Sequence, residues 1–128
     1  MDSTETKKQI LIAEDSSVIT NLLKKVLSFE NLEITTVKSG QKCIDRFNEG
    51  NFDLILMDIH LPGLKNGLDA TKEIRATKKK KASIPILGIS GNAKNKPVSE
   101  FFDAGMNEYL QKPLDYDKVV ELVKKHLN

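Results

Sequence analysis

Five short, mostly apolar segments recur along the chain and are separated by longer segments in which apolar residues follow a helical spacing. The short segments are residues 9–13, 33–37, 53–59, 84–90 and 108–111. Three of them contain nearly continuous apolar runs (ILIA, LILMDI and IPILGIS), which are typical of strands buried on both faces of a parallel sheet. Because strands that alternate with helices imply a parallel sheet covered on both sides, the pattern predicts a doubly wound α/β fold.

The longer segments predict five amphipathic helices, each with one apolar face. The expected faces are Val18, Leu22, Leu23, Val26 and Leu27; Cys43, Ile44 and Phe47; Leu68, Thr71 and Ile74; Val98, Phe101 and Phe102; and Val119, Leu122, Val123 and Leu127. The expected N-caps are Ser16 or Ser17, Ser39 and Asp115, and the expected stops are Gly50 and Gly105.

Length and charge exclude several classes of protein. A chain of 128 residues with 20 − 18 = +2 formal charges suits one domain and lacks the basic excess of a dedicated nucleic-acid binder. We expect a short polar tail at residues 1–8 and a single domain at residues 9–128. The run of lysines at 78–81 could bind nucleic acid, but a solvated helix end is the preferred interpretation. Cys43 has no second cysteine to pair with and is expected to be an inert core thiol.

Polar residues follow the apolar runs at the edge where the carboxyl ends of parallel strands meet, which is where ligands bind in such sheets. Glu14 and Asp15 follow the first run, Asp58 and Ser90 end the third and fourth, and Lys112 follows the fifth. The sequence therefore predicts that three carboxylates, one hydroxyl and one ammonium group converge at this edge.

These groups together favour phosphoryl chemistry. Three neighbouring carboxylates repel one another unless a divalent cation lies among them, and oxygen ligands favour Mg²⁺. A cation beside a lysine and a hydroxyl is typical of a site that binds a phosphoryl group. Asp58 is central among them and is the best candidate for a nucleophile that forms an aspartyl-phosphate.

Five motifs in this order and spacing resemble the receiver domain of two-component response regulators, and most of all the receivers of hybrid histidine kinases. The motifs are IAED (12–15), LILMDIHLPG (54–63), NGLDATKEIR (66–75), PILGISGNA (85–93) and AGMNEYLQKPLD (104–115). The resemblance spans residues 8–127. Single motifs of this kind are weak, but the ordered set is specific.

The resemblance implies a flavodoxin-like fold with five helices and a five-stranded parallel sheet in the order 2-1-3-4-5. Asp58 would accept a phosphoryl group from the phosphohistidine of a sensor histidine kinase or a histidine phosphotransfer protein. Mg²⁺, with Mn²⁺ as a substitute, would be held by Asp15, by Glu14 directly or through water, by Asp58, and by the backbone carbonyl of His60.

Other residues would bind the phosphoryl group and transmit its arrival. Lys112 would pair with the phosphoryl oxygens, and Ser90 would move to hydrogen-bond them. Tyr109 matches the aromatic residue that turns inward when this hydroxyl moves, although packing in an edge strand is the simpler alternative. The Lys112–Pro113 bond is expected to be cis, which an isolated X-Pro bond rarely is.

The resemblance also suggests that two side chains tune hydrolysis of the phosphorylated form. They are His60 and Asn92, which lie two residues past Asp58 and Ser90. In-line attack needs an oriented and unobstructed water. We expect His60 to crowd that water, which predicts a fairly long-lived phosphoryl group.

Two features depart from the common pattern of the family. Leu61 stands before Pro62 where methionine is usual. Gly67 lies nine residues past Asp58 instead of eight, so that residues 63–66 hold one extra residue. We expect the conformation of this loop to differ, and the five site residues to be unaffected.

Two other functions remain open. A small phosphatase would use Asp58 on external substrates, but the sequence has no lid insertion and has His60 where a second Asp would stand. A phosphorylation-independent binding module usually lacks an acidic residue or the lysine of the site, whereas here all five positions are filled. The preferred function is therefore a signalling switch that acts on no external substrate.

The switch is expected to act on the face formed by the fourth helix, fifth strand and fifth helix. Its partners would be the phosphohistidine protein and an unidentified output protein, which lies in another chain or in a removed portion of this one. No direct contact to nucleic acid or membrane is expected. We expect a cytoplasmic protein that is a monomer or a weak, phosphorylation-dependent dimer.

Overall fold

The computed structural model describes residues 7–77, 80–91 and 98–128, and these form five strands, five α-helices and one short 3₁₀ helix. The strands are β1 (Lys8–Ala13), β2 (Leu32–Val37), β3 (Leu54–Asp58), β4 (Ile86–Ser90) and β5 (Glu108–Gln111). The α-helices are α1 (Ser17–Val26), α2 (Gly40–Glu49), α3 (Gly67–Ala76), α4 (Val98–Ala104) and α5 (Tyr116–Leu127), and the 3₁₀ helix is Lys80–Ser83.

The five strands form one parallel sheet in the order β2-β1-β3-β4-β5, which confirms the predicted fold class and strand order. β3 is central, and every one of its residues is buried. Its pairing places Met57 beside Ala13 of β1 and Asp58 beside Ile89 of β4. The ends of β1, β3 and β4 therefore meet at one edge.

Alternate strand residues face two separate apolar layers, because successive side chains point to opposite faces of a sheet. On one side, Ile55 and Met57 pack with α2, α3 and α4. On the other side, Leu54 and Leu56 pack with α1 and α5. The near-continuous apolar runs in the sequence reflect this burial on both faces.

The inward face of α1 differs from the predicted one. Val18 and Leu22 are exposed, at 70% and 40%, whereas Leu23 and Leu27 are fully buried. Thr20 completes the buried face because it lies three residues before Leu23 and seven before Leu27, and its hydroxyl lies 3.5 Å from the Glu14 carbonyl oxygen that accepts its hydrogen bond. A threonine can therefore occupy a core position when its one polar group has a partner.

The face of α4 is also narrower than predicted. Phe101 is buried, but Val98 and Phe102 are 43% and 48% exposed. The described part of the helix has seven residues, about two turns, so few of these positions can face the sheet. The left-handed backbone of Gly105, with φ +111°, follows its last residue at the predicted stop.

The predicted helix caps are mostly confirmed. The side chains of Ser16, Ser39 and Asp115 accept hydrogen bonds from backbone N–H groups at the starts of α1, α2 and α5. Gly50 is the C-cap of α2.

No helix in the described part of the chain combines the length and the apolar composition of a membrane span.

Glu108 joins the start of β5 to the last turn of α5. Its Oε2 lies 2.8 Å from Nε2 of His126 and 3.2 Å from Nζ of Lys125. These contacts, led by the hydrogen bond with His126, lower the pKa of Glu108 below its ordinary value of 4.5.

Glu108→Gln should therefore destabilise the fold by under about 1 kcal/mol near neutral pH, as expected for a partly exposed ion pair. A lowered folded-state pKa contributes stability above the unfolded value, and this contribution is lost as pH falls through the folded value. The gap in unfolding free energy between wild type and variant should thus close below about pH 4.5. Urea unfolding at several pH values measures this gap, and one that persisted at low pH would contradict the assignment.

Candidate functional site

Three carboxylates lie at the edge where β1 and β3 end. Glu14 and Asp58 are each only 1% exposed, and Asp15 beside them is exposed. One oxygen from each of the three lies within 4.8 Å of the others. The predicted convergence of these residues is therefore present.

Lys112 follows β5 and brings its ammonium group to the two buried carboxylates. Its Nζ lies 3.0 Å from Oε1 of Glu14 and 3.1 Å from Oδ2 of Asp58. The peptide bond between Lys112 and Pro113 is cis, the geometry that the resemblance implies. One cation thus bridges two acidic side chains, one that follows β1 and one that ends β3.

Backbone N–H groups fix the other oxygens of the same two carboxylates. The N–H of Ser16 donates to Oε2 of Glu14, and the N–H of His60 donates to Oδ1 of Asp58, each at 2.9 Å. Each bond closes a turn in which a side-chain oxygen accepts from the backbone N–H two residues later. The carboxylate of Asp58 is therefore held from both sides, by a backbone donor and by Lys112.

Burial and charge act in opposite directions on the pKa values of this site. Burial raises the pKa of Glu14 above 4.5, and the N–H of Ser16 and the ammonium of Lys112 only partly offset this. For Lys112, burial alone would lower the pKa, but its contacts with Glu14 and Asp58 outweigh burial and raise it above 10.5. The lysine therefore stays charged at any physiological pH.

Ser90 ends β4 beside the carboxylates. It is fully buried, and its hydroxyl has no hydrogen-bond partner among residues 7–77, 80–91 and 98–128. Since buried hydroxyls are normally hydrogen-bonded, this one has an unused capacity to donate or accept.

Tyr109 in β5 packs its ring against Phe101 of α4, with ring centroids 5.0 Å apart, and its hydroxyl lies 3.5 Å from Oε1 of Gln111. The side chain of His60 is exposed. Asn92, the other residue expected to tune hydrolysis, lies outside the described residues.

The loop between β3 and α3 returns to the backbone of Asp58 in spite of its extra residue. The N–H of Gly67 donates to the carbonyl of Ile59 at 3.1 Å. A Cβ at position 67 would collide with the carbonyl oxygen of Asp58, so only glycine allows this approach. The insertion is therefore accommodated within residues 60–66.

The cap of α3 was not among the predicted helix caps. Asn66 and Asp69 form a reciprocal capping box, with the Asn66 side chain accepting from the N–H of Asp69 at 2.9 Å and the Asp69 side chain accepting from the N–H of Asn66 at 3.2 Å. The sequence did contain a signal for this capping box, because Asn66 is a typical cap residue and an acidic residue, Asp69, follows it three positions later.

Lys81 departs from the solvated helix end predicted for residues 78–81, of which residues 78 and 79 lie outside the described residues. Its ammonium group donates to the carbonyls of Phe47, Asn48 and Gly50 at the end of α2, at 3.1 to 3.2 Å. It therefore satisfies carbonyls that have no partner within the helix.

Cys43 is fully buried, and burial raises its pKa to about 12, as expected for an inert core thiol.

The family model described as the response regulator receiver domain matches residues 10–124. This match covers both layers of the fold and all the site residues described above. The chain belongs to the response regulator receiver domain family, and a receiver domain is a signalling module of two-component systems.

Among curated proteins, the chain is 32% identical to two-component response regulator 24 of Arabidopsis thaliana, over 94% of this chain and 85% of the relative. It is 34% identical to hybrid signal transduction histidine kinase M of Dictyostelium discoideum, over 91% of this chain but only 5% of the relative. It likewise spans only 16% of transcription factor SKN7 of Chaetomium thermophilum, to which it is 30% identical over 96% of its own length. The chain thus spans less than a quarter of the length of the kinase and of the transcription factor.

Among solved structures, the receiver domain of the sensor histidine kinase PA1611 from Pseudomonas aeruginosa is 30% identical. It superposes with a TM-score of 0.84 over 95% of this chain and 98% of that one, and it carries a magnesium ion in its active-site cleft. The receiver domain of Ssk1 in complex with the histidine phosphotransfer protein Ypd1 of Saccharomyces cerevisiae is 25% identical, with a TM-score of 0.82 over 94% of this chain and 89% of that one.

Proposed function

We propose that Asp58 takes a phosphoryl group from a phosphohistidine in a Mg²⁺-dependent reaction and that the aspartyl-phosphate then switches the face formed by α4, β5 and α5. The observation that carries this proposal is the cluster of the Glu14, Asp15 and Asp58 carboxylates, in which one oxygen of each lies within 4.8 Å of the others. The ammonium group of Lys112 lies 3.1 Å from Asp58 in the same cluster. The proposed donor is a sensor histidine kinase or a histidine phosphotransfer protein.

The residues of the site fit Mg²⁺. They offer only oxygen ligands, and one of them, Asp15, is exposed so that the ion and its waters can enter. Glu14, Asp15, Asp58 and the backbone carbonyl of His60 would hold the ion, and Mn²⁺ suits the same donors. When bound, the ion neutralises negative charge on the phosphoryl group during transfer.

The chain's own residues supply the nucleophile and its orientation. An oxygen of Asp58 attacks phosphorus, a new O–P bond forms, and the N–P bond of the donor breaks with its electron pair going to the imidazole nitrogen. The N–H of His60 fixes the carboxylate through Oδ1. Lys112 provides positive charge where the phosphoryl oxygens would lie.

Ser90 and Tyr109 connect this chemistry to the switching face. The buried Ser90 hydroxyl, which lacks a partner among the described residues, can donate to a phosphoryl oxygen. Its movement would make room for the ring of Tyr109, which already packs on Phe101 of α4. The phosphoryl group thereby shifts a two-state equilibrium of α4, β5 and α5.

Incubation with acetyl phosphate and Mg²⁺, followed by intact mass spectrometry, tests the proposed function. We expect one phosphoryl group per chain, and none when the divalent ion is chelated. Continued hydrolysis of acetyl phosphate without an adduct would instead indicate a phosphatase. Absence of both would indicate a binding module that does not depend on phosphorylation.

Asp15→Asn should weaken Mg²⁺ binding by at least about tenfold, because one of the few charged ligands becomes neutral. The variant should also unfold at a slightly higher urea concentration without Mg²⁺, since a like charge near Glu14 and Asp58 is removed. NMR titration with Mg²⁺ measures the affinity, and Asp45→Asn on the surface of α2 is the matched control. An unchanged affinity in Asp15→Asn would remove this residue from the site.

His60→Ala and Asn92→Ala should change the rate at which the phosphorylated form loses its phosphoryl group. We expect His60→Ala to accelerate the loss, because a smaller side chain opens the path of the attacking water. The time course of dephosphorylation after removal of acetyl phosphate measures this. Rates within about twofold of wild type, or under about 0.5 kcal/mol of barrier, would mean that neither side chain affects the water.

A further inference from the structure

Gly88 lies in the middle of β4, and its backbone is not left-handed, so its conformation does not require a glycine. Space does require one. A Cβ at this position would collide with Sδ of Met106, and Cε of Met106 would lie 3.2 Å away. A glycine inside a strand commonly marks such a close approach. Met106 is only 4% exposed, and its thioether therefore covers the bare surface of the sheet at Gly88.

The space above Gly88 adjoins both residues that are proposed to transmit the arrival of the phosphoryl group. Ser90 lies two residues further along β4, on the same face of the sheet and about 7 Å away. Tyr109 is the register partner of Gly88 in β5, and its ring packs on the same apolar layer, one strand spacing of about 5 Å away. At present this ring lies against Phe101 of α4. A ring that turned inward from β5 would therefore enter the space that the thioether of Met106 fills.

The backbone of Met106 is fixed, whereas its side chain is adaptable. The N–H of Met106 donates to the carbonyl of Phe101 at 3.0 Å, which closes the end of α4. The guanidinium group of Arg75 holds the preceding carbonyl, that of Gly105, at 2.9 Å. A methionine side chain is unbranched and fills irregular spaces in several conformations. The thioether can thus withdraw from the sheet while the backbone stays in place.

We propose that Met106 is a positioning residue that competes with the ring of Tyr109 for the surface of Gly88, and that it thereby sets how readily the ring turns inward. This inference rests on the proposed function. In the unphosphorylated chain the thioether lies on Gly88, and the ring stays against Phe101. When Ser90 moves to a phosphoryl oxygen, the ring gains enough room only if the thioether also leaves. The two arrangements are thus thioether in with ring out, and ring in with thioether out.

The orientation of Tyr109 can be measured by ¹⁹F NMR on the chain labelled with 3-fluorotyrosine. The sequence has two tyrosines, Tyr109 and Tyr116, so Tyr116→Phe assigns the signals. Wild type without and with acetyl phosphate and Mg²⁺ defines the unphosphorylated and phosphorylated positions of the Tyr109 signal. Met106→Ala without acetyl phosphate should move this signal at least about half of the way to the phosphorylated position, because the ring has lost its competitor. Gly88→Ala with acetyl phosphate should move it less than about half of the way, because the added methyl group occupies the same space.

Two further variants make the comparison specific. Ile44→Ala is the matched control, since it also removes a large buried side chain from the same apolar layer, but from α2. It should leave the Tyr109 signal within about a tenth of the wild-type range. Met106→Leu serves if Met106→Ala does not fold. It keeps the buried volume with a branched and less adaptable side chain, so the signal with acetyl phosphate should move less than in wild type.

Each other outcome overturns a stated step. Tyr109 signals that are the same in wild type, Gly88→Ala and the folded Met106 variant overturn the competition. An equal shift in Ile44→Ala and Met106→Ala also overturns it, because a general loosening of the layer would then explain both. An adduct on wild type without any movement of the Tyr109 signal overturns the inference and leaves phosphoryl uptake standing. No adduct on wild type contradicts the proposed function itself, and the comparison of Met106→Ala with unphosphorylated wild type still decides whether the two side chains compete.

Discussion

Asp58→Asn should abolish phosphoryl uptake from acetyl phosphate, with a loss of at least about a thousandfold, because an amide is a poor nucleophile. The fold should remain intact. Lys112 keeps Glu14 as its partner at 3.0 Å, and the amide oxygen can still accept from the N–H of His60. Removal of one buried charge beside Glu14 also relieves repulsion. Intact mass spectrometry after treatment with acetyl phosphate and Mg²⁺ measures the adduct.

A surface aspartate provides the control for this substitution. Asp45 lies on the exposed side of α2, where it accepts a hydrogen bond from Gln41 at 2.9 Å. Asp45→Asn should take up one phosphoryl group as wild type does. A full adduct on Asp58→Asn would place the nucleophile elsewhere, and loss of uptake together with loss of the folded far-UV spectrum would assign Asp58 a structural role.

The sheet could be predicted from sequence because its strands are buried on both faces. A run such as LILMD has no polar position before Asp58, and in a parallel sheet it needs none. The site followed from the same logic, since parallel strands place Glu14, Asp58, Ser90 and Lys112 at one edge. The same convergence predicted Asp58 as the nucleophile and Mg²⁺ among the carboxylates. The separate roles of Lys112 and Ser90 came from the resemblance to the family.

Hydrogen bonds that polar side chains make outside their own helix could not be predicted. Thr20 is polar, so the apolar pattern of α1 omitted it, although a single hydrogen bond to the Glu14 carbonyl is enough to bury it. Lys81 sits in a run of like residues, and nothing in that run indicates that one ammonium group reaches the end of α2, 31 to 34 positions earlier. The hydrogen-bond acceptors that a long side chain reaches depend on the tertiary structure around it. The spacing of residues along the sequence does not show which acceptors these are.

Arg75 shows the same limit with a larger consequence. Its guanidinium group donates to the carbonyls of Ala82, Ile84 and Gly105, and to Oδ1 of Asn107. The distances are 2.7 Å to Ile84, 2.9 Å to Gly105 and 2.8 Å to Asn107. One planar group thus joins α3 to the segment before β4 and to the turn between α4 and β5. Burial lowers the pKa of Arg75 below its ordinary value. The four acceptors replace the hydrogen bonds to water that the guanidinium group loses on burial.

Arg75→Met should therefore destabilise the fold by about 3 kcal/mol, because hydrogen bonds to a charged group contribute more than neutral ones and their acceptors would lose a donor. Urea unfolding measures the change. Arg46→Met is the matched control: Arg46 lies on the surface of α2, 3.6 Å from Glu49, and its loss should change stability by under about 0.5 kcal/mol. Arg75→Lys should fall between, since a lysine keeps the charge but cannot reach four acceptors in one plane. If Arg75→Met and Arg46→Met were equally stable, the four contacts would contribute nothing beyond a surface pair, and the joining role of Arg75 would be wrong.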